Sequence, residues 1–347
     1  MPDPPIRVAI VGLGRMGLAH AAVINSMPGA RVAAVVDRDK GLGRMAASMG
    51  LRAPFYADAC EAVEREQASV AYVCTPTYTH QALVTELAAL GLDLFVEKPL
   101  GHTLEASQAM ARTARDKGLI TAVGYNLSGE RTFEKARELV AAGALGAPRR
   151  YEASAHHGEV FQPREGWLFD PARSGGGAAM NIGSHILWFA LRCFGPPAAV
   201  SGQCRRLHSR AVEDEADIEL THAAPCAVTG RVHVSWSVPR TPILQLAMTI
   251  EGDAGALTVT RREILLRLDR PFGVWPAGES RLHAADLPCE AAYNFSPEYG
   301  GEGYYVESAR FLACCRERRP YGVDFEAGVA VERVLDALYR TGLSGPG

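Results

Sequence analysis

The sequence predicts an α/β protein of two domains. An N-terminal doubly wound parallel sheet is followed by a C-terminal α+β domain with a large, mostly antiparallel, open-faced sheet. Three observations predict this. The chain has 347 residues, long for one domain and suited to two. Apolar strand-like runs alternate with helix-like stretches over its first third. Beyond about residue 126 the alternation gives way to long strand-like runs joined by short turns. The expected division is 1–126 and 127–347.

In the first third, strands are expected at 6–11, 31–36, 70–74, 93–96 and 120–123, each a continuous apolar run of the kind found when both faces of a sheet are covered. Helices are expected between them. In 79–90, Leu83, Val84, Leu87 and Leu90 form one apolar face and Gly91 ends it; at 103–117, Thr103 stands in the capping position. Such alternation implies parallel strands with crossover helices. The second part begins with a helix at 130–142, closed by Gly143. Strands follow at 149–155, 199–207, 216–223, 227–238, 243–251 and 256–268, interrupted by one helix at 181–193. Helices at 303–316 and 325–340 close the chain, the last with a stripe of Val331, Val334, Leu335 and Leu338. Residues 269–299, rich in Pro, Gly and polar side chains, read as a long irregular loop.

Hydrophobic residues make up 48% of the chain and charged residues 22%, so substantial cores can form. The net charge is −3 and no basic run occurs, which argues against a nucleic-acid partner. The start of the chain does not read as a secretion signal, and no apolar run approaches the roughly 20 residues of a membrane-spanning helix. A cytoplasmic location is expected. The eight cysteines are scattered without a CxxC pair and read as reduced thiols. No metal site is expected: the adjacent His156 and His157 would point to opposite faces of a strand.

The first strand runs straight into Gly12-Leu13-Gly14-Arg15-Met16-Gly17 and then a helix at 18–26. This is GxGxxG in the context its chemistry requires. Gly12 allows a tight turn, Gly14 lets backbone approach a pyrophosphate, and Gly17 lets helix and strand close together; the helix N-terminus offers N–H groups to the phosphates. The second strand ends in Asp37, placed to accept the ribose hydroxyls of a dinucleotide, with Arg38 beside it for the adenine. The Asp37 charge repels a 2′-phosphate, so NAD is favoured over NADP. The first domain therefore reads as a Rossmann domain.

With these residues placed, the chain resembles the Gfo/Idh/MocA oxidoreductase family over nearly its whole length. The resemblance rests on the glycine motif, on Thr75-Pro76 with His80, on Glu97-Lys98-Pro99, on Gly175-Gly176-Gly177 leading to Gly183 and His185, and on the closing helices. It implies that Lys98 is the active-site lysine, that a cis peptide precedes Pro99, and that Thr75 and Pro76 lie along the cofactor near its nicotinamide half; Glu97 either anchors this turn or contacts the nicotinamide ribose, and His80 either touches a bound ligand or packs at the start of its helix. A lysine at the carboxyl end of a parallel strand also sits where such sheets bind ligands. His185 matches the family's acid/base histidine. The family's two carboxylate positions on that helix hold Asn181 and Trp188 here. An amide can hydrogen-bond a substrate hydroxyl but cannot take its proton, which leaves Lys98 and His185 to share proton transfer and polarisation. At α-helical spacing Asn181, His185 and Trp188 share a face. After Gly124-Tyr125-Asn126, this chain has Leu127-Ser128-Gly129 where the family commonly carries Arg-Arg-Phe. Tyr125, Asn126, His156, His157, Arg164, Trp167 and Asn181 are the remaining candidates for lining the substrate.

The activity implied is hydride transfer between NAD and a secondary alcohol or ketone of a sugar, inositol or sugar nucleotide. Two alternatives are a redox-neutral enzyme that works through a transient ketone on tightly bound NAD, and a non-catalytic NAD-binding sensor. The apolar alternation within 228–236 and 244–250 suggests a sheet face covered by another subunit, hence a homodimer or homotetramer.

Overall fold

A computed structural model describes residues 4–162, 166–223, 227–290 and 301–342. By its contacts the chain falls into two units, Met1–Tyr125 with Tyr304–Val329, and Asn126–Gly303 with Ala330–Gly347.

The first unit holds a six-stranded parallel sheet ordered β3-β2-β1-β4-β5-β6. Its strands are β1 (Ile6–Val11), β2 (Ala30–Val36), β3 (Phe55–Tyr56), β4 (Val70–Val73), β5 (Asp93–Val96) and β6 (Thr121–Val123). The order reverses beside β1, and the carboxyl edge there is where doubly wound sheets take ligands. Helices α1 (Arg15–Asn25), α2 (Lys40–Ser48), α3 (Ala59–Glu66), α4 (His80–Ala89) and α5 (Leu104–Asp116) connect the strands. Asp39, Asp58 and Thr103 accept from the first-turn amides of α2, α3 and α5 at 2.7, 2.8 and 3.1 Å. Helix α1 begins at Gly14 with no side-chain cap. The short β3 and the helices α2 and α3 are additions to the sequence reading; only Ala46 of α2 is buried, so its apolar signal is weak.

The second unit begins with α6 (Arg131–Ala141). Its eight-stranded sheet is ordered β14-β13-β12-β11-β7-β10-β9-β8. The strands are β7 (Pro148–His156), β8 (Pro197–Arg205), β9 (Glu215–His222), β10 (Thr229–Ser235), β11 (Gln245–Gly252), β12 (Gly255–Thr260), β13 (Glu263–Leu268) and β14 (Gly278–His283). One pair, β7 with β10, is parallel; the others are antiparallel. Between β7 and β8 lie α7 (Pro171–Ser174), a π turn at Ala179–Gly183 and α8 (Ser184–Phe194). Helix α9 (Gly301–Glu317) runs from the second unit into the first, and α10 (Phe325–Gly342) runs back into the second.

Four expectations change. The run expected as one strand at 256–268 is a hairpin, because the Thr260 hydroxyl accepts from the amides of Arg262 and Glu263, both at 3.2 Å, and turns the chain. The irregular loop expected at 269–299 contains β14, paired with β13; residues 291–300 lie outside the described residues. The helix expected to start at residue 181 is preceded and partly replaced by the π turn, which Gly177 and Gly183 accommodate in close quarters. Finally, the apolar residues taken as an intersubunit surface, Val232, Val234, Leu246, Met248 and Ile250, are buried in the unit's own core. The opposite face of the sheet carries Glu152, Ser154 and His156 of β7, Asp217 and Glu219 of β9, Arg231 and His233 of β10 and Thr249 of β11.

Candidate active site

The glycine turn has the geometry its residues allow. Gly12 has φ +96°, and a Cβ there would lie 2.9 Å from the Cys74 carbonyl and the Thr75 methyl. A Cβ on Gly17 would sit 1.8 Å from the Gly12 oxygen, so only glycine lets α1 start this close to β1. A Cβ added at Gly14 would meet nothing within 4 Å. Open space thus faces the uncapped N-terminus of α1, and a pyrophosphate fits that arrangement. The buried Leu13 donates its amide to Asp37 Oδ2 at 2.7 Å, and Asp37 Oδ1 accepts from Asp39 N at 2.9 Å. Each carboxylate oxygen keeps a lone pair for a ribose hydroxyl. Arg15 and Arg38 are exposed and Met16 half-buried.

After β4, Thr75 and Pro76 are half-buried, and the Thr75 and Thr79 hydroxyls are 2.6 Å apart. His80 is buried, with Nδ1 2.9 Å from the Leu100 oxygen and Nε2 2.9 Å from the Thr75 oxygen. Burial lowers its pKa, against the pull of those carbonyls. The expectation of a cofactor contact at His80 does not fit this arrangement. Both ring nitrogens face backbone carbonyls, of the Leu100 segment and of the Thr75 turn, and whichever nitrogen carries the proton donates to one of them.

The turn after β5 carries Glu97 and Lys98, and the Lys98–Pro99 peptide is cis. Glu97 is buried; its Oε1 lies 2.8 Å from His20 Nε2 and its Oε2 accepts from Lys98 N at 3.1 Å. Burial alone would raise the Glu97 pKa, but the His20 ring and the Lys98 charge and amide outweigh it, and the net shift is downward. Lys98 is half-buried. His20 escaped the sequence reading; a histidine on the inward face of the first helix was its only signal.

In the second unit, His185 is 6% exposed in the first turn of α8, and Asn181 is half-buried in the π turn. A π turn is often found at functional sites. Trp188 is a core residue, 3% exposed. A carboxylate missed from sequence, Glu213, holds the entry to this helix. Its Oε2 accepts from Gly177 N at 2.8 Å, and its Oε1 accepts from Ala179 N at 3.1 Å and the Tyr339 hydroxyl at 2.8 Å. Glycines are needed there: a Cβ on Gly177 would lie 1.9 Å from the Glu213 backbone oxygen, and one on Gly176 2.1 Å from the Tyr339 hydroxyl. In sequence, Glu213 begins an acidic stretch with Asp214, Glu215 and Asp217, and nothing there separates a buried carboxylate from a surface one.

Asn126 is 1% exposed and its Oδ1 lies 3.5 Å from Arg261 Nη2. Arg261 comes from the β12–β13 turn and also lies 3.5 Å from the buried Glu130 carboxylate. A half-buried guanidinium therefore reaches the Asn126 turn, where the sequence lacks the family's arginines. Tyr125 is fully buried and Trp167 half-buried. His156 is a correction: strand alternation puts it on the open face of the sheet beside His233, ring centroids 5.3 Å apart, whereas α8 with His185 packs on the other face. His157 instead makes a 3.0 Å contact to the Pro242 oxygen and a 2.9 Å contact to Glu159. Arg164 lies outside the described residues. Among the described residues no group of three or more His, Cys, Asp or Glu could hold a metal ion, no disulfide joins the cysteines, and no helix is long and apolar enough to cross a membrane.

A glycine turn open to a pyrophosphate, at the switch point of a parallel sheet and backed by the Asp37 carboxylate, defines a dinucleotide-binding protein of the Rossmann class. Two family models match: the oxidoreductase family with an NAD-binding Rossmann fold over residues 6–125, and the GFO/IDH/MocA C-terminal domain over residues 133–258. The chain belongs to the Gfo/Idh/MocA family of NAD-binding oxidoreductases. It is 27% identical over 350 residues to a scyllo-inositol 2-dehydrogenase (NAD(+)) of Bacillus subtilis, covering 97% of this chain and 95% of that one. It is 26% identical over 313 residues to a dTDP-3,4-didehydro-2,6-dideoxy-alpha-D-glucose 3-reductase of Streptomyces antibioticus, covering 84% and 87%. Among solved structures, levoglucosan dehydrogenase in complex with NADH and levoglucosan shares the fold, with a TM-score of 0.87 at 20% identity and 97% of each chain covered.

Proposed function

We propose that this chain moves hydride between NAD and a secondary alcohol or ketone of a sugar, inositol or sugar nucleotide, with Lys98 and His185 in acid/base roles. NAD supplies the hydride acceptor or donor. The observation that carries the reading is the turn after β5: a half-buried lysine at the carboxyl edge of the sheet, its backbone amide fixed by a buried carboxylate. There an ammonium can polarise the oxygen at the reacting carbon and exchange its proton. His185, at the start of α8, is the second group proposed to donate or accept a proton, through its imidazole ring. Asn181, Asn126 and Tyr125 are proposed to orient hydroxyls, Thr75, Pro76 and Glu97 to line the cofactor, and Trp167 to border the sugar. The relatives named for inositol and dTDP-sugar chemistry support the substrate class.

The test follows nicotinamide absorbance while the protein meets sugars, inositols and nucleotide sugars with NAD and with NADP, beside Lys98→Ala. Turnover that needs Lys98 and prefers NAD supports the reading. Cofactor bound without turnover across the panel refutes it in favour of the redox-neutral or sensor alternatives. A cytoplasmic location and a homodimer or homotetramer through the second sheet are further proposals. With the apolar alternation turned inward, association has to rest on the small and polar side chains of the open face, such as Ser154, Ala247 and Thr249. A monomer by light scattering would sink it.

A further inference from the structure

Glu97 is a negative charge that the proposed proton transfers do not use. It is 6% exposed, yet both oxygens are committed to donors and its net shift favours ionisation. The donor that does most to hold it so is His20, on α1, fully buried against Tyr72, Phe95 and Tyr304 with ring centroids 5.2, 4.9 and 5.6 Å away. His20 Nδ1 has no hydrogen-bond partner among the described residues. The Nε2–Oε1 contact needs a single ring proton, so the hydrogen bond by itself does not remove the Glu97 charge.

The position of that charge follows from the topology. Asp37 directly follows β2, on one side of β1; β4 and β5 lie on the other. A dinucleotide with its ribose at Asp37 and its pyrophosphate at the β1 turn extends its other half toward β4 and β5. The oxidised nicotinamide ring is cationic and the reduced ring neutral, so a fixed carboxylate in a water-poor site favours the oxidised form. We propose that the His20–Glu97 pair makes this site discriminate between the two redox states of its cofactor, in favour of NAD+. The inference rests on the proposed reading that the Glu97 turn faces the nicotinamide half.

The test measures the dissociation constants of NADH, by fluorescence, and of NAD+, by competition, for the full chain and three variants. Glu97→Gln removes the charge and is expected to raise the ratio Kd(NAD+)/Kd(NADH) by roughly tenfold. His20→Phe, which fits the aromatic pocket but removes the N–H donor, should move the ratio the same way by less. Glu97→Asp keeps the charge and should leave the ratio within about twofold of the parent. A ratio unchanged in Glu97→Gln while both cofactors bind overturns the proposal. If that variant does not fold, an unchanged ratio in His20→Phe overturns it equally. Failure of the parent chain to bind either cofactor would instead refute the reading of the dinucleotide site.

Discussion

Replacing Glu130 with Gln should change how the stability of this protein depends on pH, and the size of the effect can be worked out. Glu130 is the residue before α6, 4% exposed. Burial pushes its carboxyl up; Arg261, 3.5 Å away, pulls it back, Glu302 adds repulsion, and Arg131 attracts it but is itself held by Glu302 at 2.6 and 2.7 Å. The result is a pKa raised from 4.5 to about 7. The folded carboxyl keeps its proton between those values, whereas the unfolded one has lost it. Folded chains then bind more protons, so stability falls as pH rises across this window and levels off above it. A shift of that size corresponds to on the order of 3 kcal/mol. Glutamine has no proton to lose. Urea unfolding at intervals from about pH 5 to about pH 8 should show Glu130→Gln gaining on the parent as pH rises, by up to on the order of 3 kcal/mol. Parallel curves for the two proteins would refute the assignment of a buried, protonated carboxyl.

Lys98→Ala and His185→Gln should each lower kcat by roughly 10²–10⁴-fold while NADH binding, read by fluorescence, stays within a fewfold; loss of NADH binding would overturn their assignment to the chemistry. Asp37→Ser should narrow the preference for NAD over NADP, read as a ratio of kcat/KM values, and an unchanged ratio would place the ribose elsewhere. Gly17→Ala drives a methyl group into the Gly12 carbonyl, so cofactor binding should be lost by calorimetry. Glu213→Ala strands the Gly177 and Ala179 amides and the Tyr339 hydroxyl, and should cost roughly 3 kcal/mol in urea unfolding; Glu213→Gln should recover part of it.

The cofactor half was legible because its chemistry is local. A strand, a glycine turn and a carboxylate at the end of the next strand are contiguous signals, and backbone constraints at Gly12 and Gly17 allow little else. The Lys98 turn was legible through its resemblance and its place after an apolar run. What stayed hidden depends on partners distant in sequence. His80 reads as a ligand residue until the Leu100 and Thr75 carbonyls meet its ring. His156 reads as a site residue until the register of β7 fixes which face it takes. Glu130, Arg261 and Glu213 are unremarkable charges in the chain and acquire meaning only when folding sets Arg261 against the buried Glu130 and buries Glu213 under the Gly177 turn. The alternation in β10 and β11 showed correctly that one face is apolar, but periodicity does not say whether the chain's own core or another subunit covers it.

The return of the chain to its first unit bears on how that unit comes into being. Phe311 of α9 meets Tyr72 and Phe95 at 6.0 and 5.9 Å, the Val323 carbonyl accepts from Val123 N at 2.9 Å, and Phe325 N donates to Thr121. A ribosome that has released residues 1–125 has therefore delivered all six strands of the first sheet but not the segment that closes the aromatic cluster and the edge at β6. The cofactor domain is not a cassette that can be cut out after its last strand. Its full set of contacts is available only when the chain is nearly finished, with the whole second sheet already synthesised, and a fragment ending near residue 126 should expose Tyr72, Phe95 and the β6 edge to solvent or to other chains.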